Sequence, residues 1–284
     1  MRKTLLAAAV AGLFSLPSVV MAQAAAPAAP ASPHTFTGNV GLVSNYVYRG
    51  ITQSAAKPAI QGGFDYAHSS GLYAGTWASS VSWVADNGGG AGLPSAANSV
   101  EIDVYGGYKG TITGDLGFDV GVLTYNYPGS NTSVGGTFIK PDSTEVYGAL
   151  TWKWLTVKYS HSTTSLFGWN QFAKTVNDKT DGSGYLEING AFDLGDGWGI
   201  SAHIGDQKIK GNGPASYTDY KLGVTKDVGF GVFGLALTST DSKGGCTNGA
   251  PSTAQDVYCW GTAPGKSSYD AGKSAAILSF SKTF

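Results

Sequence analysis

Arg49, Asp65, Glu101, Asp103, Asp119, Glu145, Lys158, Glu187, His203, Asp219 and Lys221 lie far apart in the chain, yet each falls on the polar parity of a run in which apolar and polar residues alternate. Alternation of period two places such residues on one face of a strand, so together they would line one surface. Acids dominate from Asp65 to Glu145, while Lys158, Lys221 and Arg49 belong to the remainder. Opposed charges across a narrow passage create a transverse field that selects and orients solutes. The competing reading is mutual pairing, for example of Glu145 with Lys158, because an unpaired buried charge is costly. Arg49-Gly50 is the most specific polar feature. Its planar, permanently charged fork would either guide carboxylates and phosphates or brace the first loop.

Catalytic arrangements are weaker. His161 is flanked by Ser160 and Ser162, but sequence neighbours on a strand point to opposite faces. Ser201 and His203 share a face about 7 Å apart, too far for a direct hydrogen bond. No Gly-x-Ser-x-Gly elbow, phosphate-binding loop or dinucleotide fingerprint occurs. The sequence therefore predicts no enzyme, no catalytic residue and no cofactor. Cys246 and Cys259 are the only cysteines and share the longest loop, while His34, His68, His161 and His203 lie elsewhere without zinc-ligand spacing. In an exported chain this favours a disulfide over a metal site.

The elements that must carry these residues are strands. In the run from Phe36 to Arg49, Phe36, Val40, Leu42, Tyr46 and Tyr48 take one parity and Thr37, Asn39, Asn45 and Arg49 the other. The pattern recurs over 36–49, 59–67, 72–81, 100–109, 116–127, 144–152, 155–162, 184–194, 198–207, 217–226, 232–240 and 274–284. Short connections alternate with long ones throughout; the long ones span 50–58, 82–99, 128–143, 163–183, 208–216 and 241–273. A β-sandwich could hold as many strands but has no reason to place every long loop at one end, whereas an outer-membrane barrel does. Tyr66, Tyr73, Tyr108, Trp152, Trp154 and Trp198 cluster near the predicted short turns, most on the apolar parity. That fits an aromatic girdle at a bilayer interface, although a sandwich core also welcomes aromatics.

Charged residues make up 13% of the chain and glycine 42 of 284 residues, unlike an ordinary soluble domain, where about 25% are charged. Residues 1–22 read as a signal peptide: Arg2 and Lys3 precede an apolar run that Gly12, Ser15 and Pro17 interrupt, and Val20-Met21-Ala22 suits cleavage. Cleavage removes two of 18 basic residues and none of 19 acidic ones, leaving a formal charge of −3 and no sign of nucleic-acid binding. Residues 23–35 form an Ala/Pro-rich linker and 36–284 the barrel. At the chain end Ala276, Leu278, Phe280 and Phe284 share a parity. This looks like the terminal-strand signal read by barrel insertion machinery, with Lys282 departing from it.

The runs Val40 to Ser54, Lys57 to Tyr66 and Gly71 to Ser79 resemble the TorF family of proteobacterial porins. The resemblance implies an outer-membrane barrel with a pore role; it supplies no agreed substrate and no catalytic residues. The expectation is an all-β, transmembrane, antiparallel up-and-down barrel of about 12 strands in the bacterial outer membrane, embedded in its lipid, passing small hydrophilic solutes, and monomeric. Two alternatives stand beside it: a non-conducting barrel that binds a partner through its outward loops, and a rim enzyme acting on lipid.

Overall fold

Alternating residues leave each strand with an apolar face that seeks hydrocarbon and backbone groups that need partners, and closing the sheet on itself satisfies both. The computed structural model describes residues 32–87, 98–129, 140–171, 178–262, 265 and 267–284. Twelve antiparallel strands close into a barrel: β1 (His34–Val43), β2 (Ala59–His68), β3 (Leu72–Ser80), β4 (Val100–Thr113), β5 (Leu116–Asn126), β6 (Ser143–Trp152), β7 (Leu155–Ser162), β8 (Gly184–Gly195), β9 (Trp198–Lys208), β10 (Tyr217–Asp227), β11 (Val232–Thr240) and β12 (Ala275–Thr283). Each pairs with its sequence neighbours, and β12 returns to β1 in the register Asn39–Thr283 to Val43–Ser279. Closure leaves no free edge, which a sheet crossing hydrocarbon requires.

The outward face is apolar: Phe36, Phe64, Leu222 and Leu278 are 75%, 72%, 62% and 63% exposed, values that make sense only against lipid. Tyr108, Trp152, Trp154 and Trp198 also face outward near the short-turn end. Tyr73 does not: it turns inward and donates to Asp119. Short turns and long loops alternate around the barrel as expected. Phe284 extends the last ladder through reciprocal backbone bonds with Gly38.

The first strand departs most from expectation. The predicted strand 36–49 splits: β1 begins at His34 and stops at Val43, where the Ser44 N–H donates to the carbonyl of Leu278. The chain then folds into the barrel. Val47–Tyr48 and Ile51–Thr52 pair as a small hairpin, and Tyr46 and Tyr48 are buried inside the barrel rather than facing lipid. Their parity is a poor guide because the chain leaves the barrel wall after Val43. A short helix, α1 (Trp83–Asn87), occupies the start of the expected loop 82–99. The predicted signal peptide lies outside the described residues, as do 88–97, 130–139 and 172–177 of three outward loops.

Candidate functional site

The hairpin is built for the interior. Arg49 (φ 46°) and Gly50 (φ 76°) both adopt positive φ, the geometry of a two-residue type I′ turn. Gly50 is needed twice over, since a Cβ there would also lie 2.7 Å from Cβ of Asp219 and overlap Thr240. The tip thus presses against β10 and β11 just inside the long-loop end. Above it, the carbonyl of Gln53 accepts the N–H groups of Ser82 and Trp83 at the start of α1, and the Thr52 N–H donates to Ala271.

Arg49 is the centre of the arrangement. Its Nη1 and Nη2 donate to Oε1 and Oε2 of Glu145 at 2.9 and 2.7 Å, a bidentate pair, and Nη1 also donates to Oε1 of Gln207 at 2.9 Å. The guanidinium carbon lies 4.1 Å from the ring centre of Tyr185 and 4.9 Å from that of Tyr48. The Tyr48 and Tyr125 hydroxyls share a hydrogen bond, and Tyr125 donates to Glu145 at 3.2 Å. Beside this, Glu101 accepts from Tyr46 at 2.6 Å and from Tyr127 at 2.5 Å.

Beneath the hairpin the remaining inward residues fall into two tiers. At mid-barrel, Glu187 stands in register with Lys158, 3.9 Å from its Nζ. Nε2 of His203 lies 3.0 Å from both Asp219 and the Tyr185 hydroxyl, and its Nδ1 is 2.7 Å from Asn189. Lys221 is in register with His203, and Asp103 keeps one buried carboxylate oxygen, Oδ1, without a partner among the described residues. Nearer the short turns, Asp119 accepts from Tyr73 at 2.6 Å, and Asp65 accepts from Tyr105.

The suggested Glu145–Lys158 pair is therefore not formed: Glu145 pairs with Arg49 and Lys158 with Glu187. Glu187 and Asp219 also place acids on the arc expected to be basic, which weakens any transverse field. Arg49 is not at the rim of strand one but within the barrel. Among the described residues the hydrogen-bond partners of His203 are Tyr185, Asn189 and Asp219, with no serine. Cys246 and Cys259 form a disulfide across a sequence separation of 13.

The sequence pointed to Tyr258 and Trp260, beside Cys259, as anchors of the disulfide loop over the mouth, but not to the aromatic layer they join over the hairpin. Trp83, Phe167, Trp169, Tyr258 and Trp260 line a cavity of about 310 Å³ at the long-loop end, with Arg49, Gln53 and Gln207 also contributing to its wall. Trp83 stacks on Trp260 with ring centres 5.6 Å apart, and Trp169 meets Tyr258 edge-on at 5.5 Å. The Tyr258 hydroxyl anchors the disulfide loop by donating to the carbonyl of Ala215 at 2.6 Å. Tryptophans in three different long loops gave the only available signal, and their distance in sequence hid their convergence.

A family model described as a bacterial protein of unknown function, Gcw_chp, matches residues 27–284. The chain belongs to that family. For this Gcw_chp member, the closed barrel with an apolar outer belt places the protein in the bacterial outer membrane. Comparison with curated proteins finds no match. Among solved structures, the KdgM porin in complex with disordered oligogalacturonate aligns with a TM-score of 0.46 at 5% identity, covering 88% of this chain and 98% of that one. The Pseudomonas putida toluene transporter TodX aligns with a TM-score of 0.44 at 11% identity, covering 89% of each chain. OprD of Pseudomonas aeruginosa gives 0.38 at 12% identity, covering 88% of this chain and 66% of that one. These are likenesses of barrel shape and say nothing about a solute.

Proposed function

We propose that this protein is an outer-membrane channel for small hydrophilic solutes, held closed at its outer mouth by the hairpin 47–52. The observation that carries the reading is how the hairpin is held. A charged tip is fixed by one bidentate pair above an interior lined by ionisable side chains, an arrangement that can be released without disturbing the barrel wall. The constriction beneath would be formed by Asp65, Asp103, Asp119, Lys158, Glu187, His203, Asp219 and Lys221, with Arg49, Glu101 and Glu145 in the closed layer above. Export through the leader 1–22, handover to insertion machinery through the exposed Phe284, and a monomeric state complete the proposal.

The dense packing around Tyr46, Tyr48 and Tyr125 favours a second reading, a barrel that never conducts and acts through its outward loops. Planar-bilayer recording of the refolded mature protein separates the two. Discrete openings with a reversal potential that shifts on Asp103→Lys support the channel. Silence from wild type and from variants that release the hairpin, with folding verified, removes it.

A further inference from the structure

The cavity above the hairpin has the attributes of a ligand site. Its walls are aromatic and aliphatic, one side is formed by Val257, Tyr258, Cys259, Trp260 and Thr262 of the disulfide loop, and its volume of about 310 Å³ falls near the lower end of small-molecule pockets. Two of the lining residues carry unused donors. Trp83 lines the cavity, is 9% exposed, and its buried indole N–H has no acceptor among the described residues. Native proteins seldom leave such a group unpaired unless something supplies the acceptor. Arg49 contributes the only charge among the described lining residues. Its guanidinium makes three hydrogen bonds, and two of its five N–H groups have no partner among the described residues.

We propose that this cavity binds a small aromatic carboxylate, its ring against the tryptophan and tyrosine walls and its carboxylate accepting from Trp83 and Arg49. The chemistry excludes the obvious competitors. A cation finds no free carboxylate in the lining. A sugar brings a hydroxyl on nearly every carbon, and the few polar groups lining the cavity, mainly Arg49, Gln53, Gln207 and Thr262, are too sparse to satisfy them. A flat ring with one anionic end satisfies the orphan donors and leaves its faces on aromatic surface. Because Arg49 is also the tip of the hairpin, a carboxylate bound there would compete with Glu145 for the guanidinium and loosen the plug. That consequence rests on the channel reading, whereas the binding itself does not.

Isothermal titration calorimetry on the folded mature protein in detergent micelles tests the site, with benzoate, benzyl alcohol and glucose as probes and protein-free micelles as the blank. The expected result is saturable one-to-one heat with benzoate, affinity at least about tenfold weaker for benzyl alcohol, and none for glucose. Trp83→Phe, which keeps the ring and removes the donor, should weaken benzoate by about tenfold. Absence of saturable benzoate heat in wild type overturns the proposal, as does a Trp83→Phe titration identical to wild type or glucose binding as tight as benzoate. A barrel that binds benzoate and never conducts keeps this site and loses the channel. One that conducts and gives no saturable heat does the reverse.

Discussion

Replacing Arg49 by alanine deletes three hydrogen bonds and two ring contacts, and leaves Glu145, which is 2% exposed, as a buried carboxylate whose remaining partner is Tyr125. Removing one member of a buried ion pair costs about 3–5 kcal/mol, mostly from the charge left behind. The penalty applies only while the hairpin is seated, since withdrawal lets water reach Glu145. At about 1.4 kcal/mol per factor of ten, the open-to-closed ratio should rise roughly 150- to 5000-fold. Single-channel recording reads that ratio directly as open probability, and heat-modifiable gel migration confirms that the barrel has folded. The double variant Arg49→Met/Glu145→Leu supplies the control. It restores apolar volume and removes the stranded charge, so it should stay closed, because well-packed apolar replacements of a buried pair are often neutral. Unchanged open probability in folded Arg49→Ala would refute the reasoning, as would equal opening by both variants.

Gly50→Ala imposes a Cβ at positive φ against Asp219 and Thr240; a strain of 1–2 kcal/mol should raise the open-to-closed ratio roughly 5- to 30-fold with the barrel intact, measured in the same bilayer assay. Cys246→Ser/Cys259→Ser removes a crosslink closing a loop of sequence separation 13, worth about 3 kcal/mol in the chain-entropy model. Protease added outside proteoliposomes should then cut within 241–274 while the barrel's melting barely shifts; equal resistance in the variant contradicts the role assigned to the loop. Leu222, 62% exposed midway along β10, faces hydrocarbon. Leu222→Arg should lower folding stability in lipid vesicles by about 2–4 kcal/mol by urea titration, and a loss below 0.5 kcal/mol would mean the face is not buried in the bilayer.

The barrel was legible because its cause is local. Alternation in β9, where Ile200, Ala202 and Ile204 take one face and Ser201, His203 and Gly205 the other, states the strand and its two environments without any partner. Loop lengths then order the strands, because an up-and-down barrel pairs only neighbours. The hairpin obeys the same period-two rule yet was misassigned. Tyr46 and Tyr48 continue the apolar parity of Leu42, so alternation alone extends β1 through Arg49, and nothing in it marks the reversal after Val43. The available sign was Arg49-Gly50 between Val47-Tyr48 and Ile51-Thr52, a glycine at the second turn position between two short β-prone pairs. A strand reading that ends on a turn dipeptide should be tested as a hairpin.

The pairing of the inward charges was out of reach for a different reason. Parity assigns a side chain to the lumen but not to a height, and Lys158 reaches Glu187 rather than Glu145 because β8 brings Glu187 into register opposite it. Glu145 lies nearer the outer end of its strand, where the hairpin delivers Arg49 from a segment 96 residues away. Arg49 is bound to Glu145 inside the barrel rather than standing free at its mouth, so residues that read as a filter are, at this level, paired with one another. On the channel reading proposed above, conduction depends on an equilibrium of the hairpin rather than on the width of the wall. That reading makes the charge at one turn position, and any anion that competes for it, the proposed control point of the channel.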